Sequence, residues 1–225
     1  MVSVVIPTSN SAATLPAALS ALVPAAADGL VREVILVDHA SSDQTFAIAD
    51  AMGCEVINGP VARGERLLVG ARKARCSALL FLHADSVLAS GFEREVRHCL
   101  ETWESQGRFD RQAAVFRTLH EGYGLRPRLS ERMADLRASV LGLAYGESGL
   151  LISRRFYDAL GGHRPLALME DVDLTRRIGP RRLVTLRSGA YAIAGAREPE
   201  TPLRAQRRRH LIPWLLGVRS ERLSG

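Results

Sequence analysis

Ala78-Leu79-Leu80-Phe81-Leu82-His83-Ala84-Asp85-Ser86 is an apolar run that stops abruptly at a histidine, a small residue and a carboxylate. Uncharged residues in unbroken succession suit a strand buried on both faces of a parallel sheet, and the polar residues that follow then stand at its C-terminal end. Open α/β sheets bind their ligands at that end. Taken alone, an aspartate after a strand is equally a helix or turn cap, so the choice between cap and ligand group rests on what surrounds it.

Toward the N-terminus the same pattern recurs. Val2-Ser3-Val4-Val5-Ile6 is β-branched and apolar and gives way to turn chemistry at Pro7-Thr8-Ser9-Asn10. Leu15, Leu19 and Leu22 then fall at helical spacing, with Asn10, Ser11 or Thr14 as caps and Pro16 tolerable only in the first turn. Glu33-Val34-Ile35-Leu36-Val37 ends in Asp38-His39-Ala40-Ser41-Ser42-Asp43, and Asp43 is placed to cap a helix over 44–52 that Gly53 ends. A short third strand, Glu55-Val56-Ile57-Asn58, leads to a loop containing Arg63 and a helix carrying Arg66, Leu67, Val69, Ala71 and Lys73. Strand and helix alternate up to the 78–82 strand. The expected fold class is therefore α/β: a Rossmann-like, mostly parallel central sheet flanked by helices on both faces, its loops gathered at one edge.

Toward the C-terminus the spacing predicts a helix over 91–106, a strand over 113–117, an amphipathic helix over 126–143 and a strand at Leu150-Leu151-Ile152-Ser153. Tyr145-Gly146-Glu147-Ser148-Gly149 precedes that strand, and two glycines flanking a carboxylate let backbone turn tightly beside a ligand. A short helix over 154–160 is closed by Gly161-Gly162. Met169-Glu170-Asp171-Val172-Asp173-Leu174 opens a further helix, where acidic residues in the first turn suit the dipole whether or not they do anything else. A last strand is expected over 191–194. The chain then turns basic at Arg204-Ala205-Gln206-Arg207-Arg208-Arg209-His210 and apolar at Leu211-Ile212-Pro213-Trp214-Leu215-Leu216.

With 225 residues and 47% hydrophobic content the chain can bury one sizeable core. The expected division is one compact domain over 1–200 with a helical appendage over 201–225 packed on it. Cys54, Cys76 and Cys99 are scattered and odd in number, which indicates neither a disulfide framework nor a zinc site and fits a reducing, cytoplasmic setting. No run approaches the ~20 apolar residues of a membrane span. The formal net charge of +6 favours an anionic partner such as a nucleotide or a phospholipid surface. Nucleic acid is disfavoured because the arginines lack interleaved aromatics. A dinucleotide oxidoreductase would want GxGxxG after the first strand, and Pro7-Thr8-Ser9-Asn10 is unlike it.

Together, Val4-Val5-Ile6-Pro7-Thr8-Ser9-Asn10, Val37-Asp38-His39-Ala40-Ser41-Ser42-Asp43-Gln44-Thr45, His83-Ala84-Asp85 and Glu170-Asp171 resemble the family 2 glycosyltransferases of the GT-A fold. Within that family, Arg63-Gly64 with Gly70-Ala71-Arg72, Phe81-Leu82-His83-Ala84-Asp85, Tyr145-Gly146-Glu147-Ser148-Gly149 and Met169-Glu170-Asp171-Val172 look like the subgroup labelled arsenosugar-biosynthesis glycosyltransferases. The ordered set covers nearly the whole chain.

The resemblance implies an inverting, non-processive transferase that moves a sugar from a nucleotide-diphosphate sugar to an acceptor hydroxyl. It assigns Pro7, Thr8, Asp38 and His39 to the nucleoside, and Arg63, Gly64, Arg66, His83 and Ala84 to the donor more widely. Asp85 would be the carboxylate on a divalent metal, Mg²⁺ or Mn²⁺, which is ordinarily held by hard oxygen ligands together with substrate phosphates. Asp171 is the implied general base, Glu170 its neighbour, and Tyr145, Gly146, Glu147 and Gly149 the acceptor loop. The chain departs from the family pattern where His39 and His83 replace aspartates common in the family, where Ser11 replaces an acidic residue and where Ala40 replaces glycine. The alternative reading is a catalytically idle nucleotide-sugar or membrane-surface binding protein. The basic tail is read as a solvated helix packed on the core; its sharper use would be a peripheral contact with anionic lipid at the inner face of a membrane, near a lipid or small-molecule acceptor.

Overall fold

The structure, a computed structural model, describes residues 1–119, 148–166 and 169–193. The expected helix over 126–143, the loop residues Tyr145, Gly146 and Glu147, and the basic tail lie outside the described residues. The elements in chain order are β1 (Val2–Thr8), α1 (Leu15–Ala27), β2 (Val31–Asp38), α2 (Thr45–Ala51), β3 (Glu55–Asn58), α3 (Arg63–Lys73), β4 (Ala78–Phe81), β5 (Ser86–Leu88), α4 (Phe92–Ser105), β6 (Ala113–Leu119), β7 (Leu150–Ser153), α5 (Arg154–Ala159), α6 (Glu170–Ile178) and β8 (Leu183–Ala192). The strands form one sheet in the order β3-β2-β1-β4-β7-β6-β8-β5.

The pleat explains why β1, β2 and β4 read as unbroken apolar runs. Val4, Ile6, Leu36 and Leu80 point into one core, shared with Leu15, Leu19 and Leu22 of α1 and with Phe92, Val96 and Trp103 of α4. Val5, Ile35, Val37, Leu79 and Phe81 point into a second core, shared with Leu67 and Ala71 of α3, Phe156 and Tyr157 of α5, and Leu174 and Ile178 of α6. Both faces are covered by helices, so alternate side chains are equally dry.

β1 pairs in parallel with β2 on one side, Thr8 opposite Asp38, and with β4 on the other, Val5 opposite Phe81. The chain order reverses at β1, which places a crevice beyond the carboxyl ends of β1 and β4. The far half of the sheet is mixed. β7 runs antiparallel to both β4 and β6, β6 is parallel to β8, and β5 is antiparallel to β8.

Several boundaries differ from the sequence expectation. The last described strand begins at Leu183 rather than at 191, because Ala113 to Val115 of β6 pair in parallel with Leu183 to Thr185; its end pairs with Ser86–Leu88, three residues with no strand pattern of their own. Leu82 falls just outside β4, although its amide still donates to the Val5 carbonyl. α2 runs from Thr45 to Ala51 rather than over 44–52, and Asp43 acts as its cap: the carboxylate accepts from the Thr45 amide and hydroxyl, and also from the Ala12 amide, tying α2 to the loop after β1.

Candidate active site

The loops after β1 and β2 are stitched together by small polar side chains. Buried Asp38 accepts from the Thr8 and Ser41 hydroxyls at 2.8 and 2.6 Å and from the Ser41 amide at 2.9 Å. The Asn10 amide donates to Ser41 Oγ, the Ser42 amide to Asn10 Oδ1, and the Ser11 amide to Thr45 Oγ1. The Thr8 carbonyl accepts from the His39 amide and from Arg66, whose guanidinium is buried beneath the crevice. His39 Nδ1 lies 3.3 Å from the Gly59 carbonyl; as the donor there it leaves Nε2 as the acceptor of the ring. Ala40 stands at φ 49°, the left-handed region that glycine enters most easily, which gives a physical reason for the family's glycine at this point.

Charge gathers where α3, β4 and α6 meet. Arg63, the first residue of α3, donates to Glu170 Oε1 and, at 2.6 Å, to Asp171 Oδ2, and its other terminal nitrogen lies 2.8 Å from His83 Nε2. His83 Nδ1 is 3.8 Å from Asp85 Oδ1, and His83 Nε2 is 3.9 Å from Asp171 Oδ2. Glu170 is fully buried, while Asp171 keeps 11% side-chain exposure. The α6 N-terminus favours both anions. Met169, the residue before them, is buried in a left-handed conformation at φ 68°, so the acidic pair leaves a constrained turn.

Gly64 is needed for the close approach of α3 to this turn, since a Cβ there would lie 2.3 Å from the Arg164 carbonyl oxygen. Gly149, at φ 60°, packs against Leu82 and Phe116 at the start of β7. A small cavity of ≈ 20 Å³ opens beside Asp171, walled by Leu67, Phe81, Val115 and Leu150, with His83 and His163 at its polar end.

The structure thus brings Arg63, His83, Asp85, Glu170 and Asp171 into one cluster. Pro7, Thr8, Asp38 and His39 form a neighbouring wall at the β1 and β2 ends. Ala84 is buried in the turn between β4 and β5. Sequence reading passed over His163 and Tyr157. His163 is buried, and its Nε2 lies 3.9 Å from Asp171 Oδ1 on the side away from Arg63. Its one sequence signal was a histidine directly after Gly161-Gly162 and shortly before the acidic pair.

Among the described residues no group of three or more His, Cys, Asp or Glu side chains is arranged to hold a metal. Asp85 with the adjacent His83 still fits a cation that takes few protein ligands and completes its shell with substrate phosphates and water, as Mg²⁺ and similar ions do.

A parallel half-sheet flanked by helices, a crevice at its switch point and a mixed far half give the architecture of the GT-A fold. Residues 3–137 match the sequence profile described as Glycosyl transferase family 2, and the chain belongs to that family. Glucosyl-3-phosphoglycerate synthase from Mycobacterium tuberculosis, crystallised with Mn²⁺, UDP and glucosyl-3-phosphoglycerate, is similar in fold: TM-score 0.63, 22% identity, over 96% of this chain and 78% of that one. The same enzyme with UDP-glucose and phosphoglyceric acid gives a TM-score of 0.64 at 23% identity, covering 96% and 78% of the two chains. TarS of S. aureus gives 0.64 at 18% identity, over 92% of this chain and 38% of that one. Among curated proteins none matches in sequence.

Proposed function

We propose that the protein is an inverting, metal-assisted, non-processive transferase that moves a sugar from a nucleotide-diphosphate sugar to an acceptor hydroxyl. The single observation that carries the reading is the cluster in which Arg63 reaches Asp171 and His83 together, with Asp85 adjacent. It sets groups suited to a diphosphate beside a carboxylate suited to a proton. The M. tuberculosis neighbour, crystallised with Mn²⁺ and UDP, supports the same donor class.

The nucleoside lies against Pro7, Thr8, Asp38 and His39, with Arg66 and Gly64 shaping the floor. Arg63 and His83 face the diphosphate, and Asp85 holds the divalent ion, Mg²⁺ or Mn²⁺, which when bound stabilises the departing diphosphate. Asp171 Oδ2 takes the proton of the acceptor hydroxyl as that oxygen bonds to the anomeric carbon. The bond from that carbon to the diphosphate oxygen breaks, and the leaving group departs with the electron pair. One displacement inverts the centre. Glu170 holds Arg63 and thereby the approach to Asp171. Tyr145, Gly146, Glu147 and Gly149 form the acceptor loop of the proposal, the subgroup is the arsenosugar-biosynthesis type, the setting is cytoplasmic, and the 201–225 tail is an appendage of the same domain. No helix among the described residues is long and apolar enough to cross a membrane.

The test is calorimetric titration of UDP, GDP, CDP and dTDP, with and without Mn²⁺, into the natural protein and Asp85→Ala. One diphosphate is expected to bind in a metal-dependent way, at least ~10-fold more weakly in the variant. Absence of binding by all four under either condition would overturn the proposal.

A further inference from the structure

The buried pair Tyr157 and His163 lies behind Asp171 and has no part in the proposed step. Tyr157 lies within α5, and His163 follows the turn that closes that helix. The backbone amide of His163 donates to the Tyr157 oxygen at 2.9 Å, and the same oxygen lies 3.0 Å from His163 Nδ1. With its oxygen already accepting, the phenol directs its own proton to Nδ1, which makes Nδ1 the acceptor and leaves the ring proton on Nε2. Nε2 is the atom turned toward Asp171 Oδ1, 3.9 Å away.

The segment carrying His163 is held firmly. Arg177 donates to the Leu160 and Gly162 carbonyls at 2.5 and 2.8 Å, and its Nε donates to Asp173 at 2.9 Å. Arg164 donates to the other oxygen of Asp173. The Phe81 ring meets the imidazole edge-on with centroids 4.9 Å apart.

We infer that Tyr157 and His163 form a buried relay that fixes the neutral Nε2–H tautomer of His163 against Asp171 Oδ1, so that Oδ2 is the oxygen presented to the acceptor hydroxyl. His163 is a positioning residue, and the inference rests on Asp171 being the base. At 3.9 Å the contact is electrostatic rather than a hydrogen bond. In this state Arg63 draws Oδ2 the other way, and rotation of the carboxylate as Arg63 turns to the donor diphosphate closes the gap to Nε2–H. The groups facing the imidazole are the Tyr157 phenol from α5, Asp171 and Arg177 from α6, Arg63 from α3 and the Phe81 ring from β4. Burial outweighs the attraction of Asp171 and pushes the imidazole pKa down to about 4, with Arg63 and Arg177 acting in the same direction, so the ring is neutral at neutral pH.

The experiment is long-range proton–nitrogen NMR of the full-length protein with ¹⁵N-labelled histidine, on the natural chain, Tyr157→Phe, His163→Gln and Asp171→Asn. In parallel, nucleoside diphosphate release is followed from UDP-, GDP-, CDP- and dTDP-glucose with Mn²⁺. His163 is expected to be neutral with the proton on Nε2, to lose that single tautomer in Tyr157→Phe, and to shift its Nε2 signal in Asp171→Asn. Tyr157→Phe is expected to lower kcat about 10-fold with KM unchanged, and His163→Gln, which keeps an N–H donor, to retain more activity than His163→Phe. A ring proton on Nδ1, or ring signals indifferent to Asp171→Asn, overturns the relay whether or not sugar is released. Release that survives Asp171→Asn overturns instead the assignment of the base on which the relay depends.

Discussion

Two neighbouring parts of the crevice solve the same problem differently. At the β1 and β2 ends, loops are held by serine, threonine and asparagine, with Asp38 and Asp43 saturated by hydroxyls and amides of the same loops. At the junction of α3, β4 and α6, carboxylates are held by a guanidinium on another element. Local bonds from neutral hydroxyls and amides make a wall that exists before any ligand arrives. A cation shared between two carboxylates and a histidine is a contact that a diphosphate can compete for, because the phosphates offer Arg63 the same bidentate acceptors. In the proposed reading the first region receives a nucleoside without moving, and the second rearranges when the phosphates come.

The largest expected effect breaks the second region. Arg63→Met leaves Glu170, fully buried, without this cation, and removing one partner of such a pair costs about 3–5 kcal/mol. For a chain of this size that lowers Tm by roughly 10 °C. The double variant Arg63→Met with Glu170→Gln is expected to recover more than half of the loss in a thermal melt. A single variant as stable as the natural protein would show that the charges are not coupled, and the contrast between the two regions would collapse.

The first region was the legible one. Local strand-helix units announce β1 through β4, since each strand is apolar and closed by turn residues, and Thr8 and Asp38 stand at two of those ends; in the second region His83 and Asp85 follow β4, while the roles of Arg63 and Asp171, at the starts of α3 and α6, came only from the family resemblance. In the far half of the sheet the strands at 113 and 150 are legible as well, but Ser86–Leu88 is not, because its pairing is nonlocal: it is a strand only because Ala190 to Ala192 lies beside it. His163 escaped for a related reason. Nothing in its neighbours shows that folding places it behind Asp171, with Tyr157 bonded to its other face.

An intermediate effect separates the regions by pH. His163 has its folded pKa depressed by burial to about 4 from an ordinary 6.5, so as pH falls the unfolded chain takes the proton first. Its contribution is complete above about 6.5 and is lost progressively down to about 4, on the order of 3 kcal/mol in all. Urea midpoints at pH 7 and near pH 4.5 are expected to differ by less in His163→Gln than in the natural protein. In the first region burial disfavours ionised Asp43, but the Thr45 side chain and the Ala12 and Thr45 amides outweigh it and hold the carboxyl below 3.8. That contribution is present above 3.8 and is lost only as pH falls through the lower folded value. Acid should therefore loosen the His163 side first. Equal sensitivity of the two regions to mild acid, read from His163 and Thr45 NMR signals, would contradict the assignment of these causes.

The smallest effect tests whether the local stitching does more than hold the loops. Asp43→Ala removes the acceptor for the Ala12 amide and for both donors of Thr45, at an exposed position where water can replace some of what is lost, so the cost is about 1–2 kcal/mol. Freed of this tie, the loop carrying Ala40 in its left-handed conformation is expected to sample other arrangements, and a preformed nucleoside wall then has to be ordered by the ligand. Affinity for the nucleoside diphosphate should fall several-fold, while turnover at saturating donor stays near the natural value, because Asp171 and Arg63 are held by α3 and α6 rather than by this loop. A fall in turnover with affinity intact would mean that the two regions are one mechanical unit, and that the wall moves with the charges.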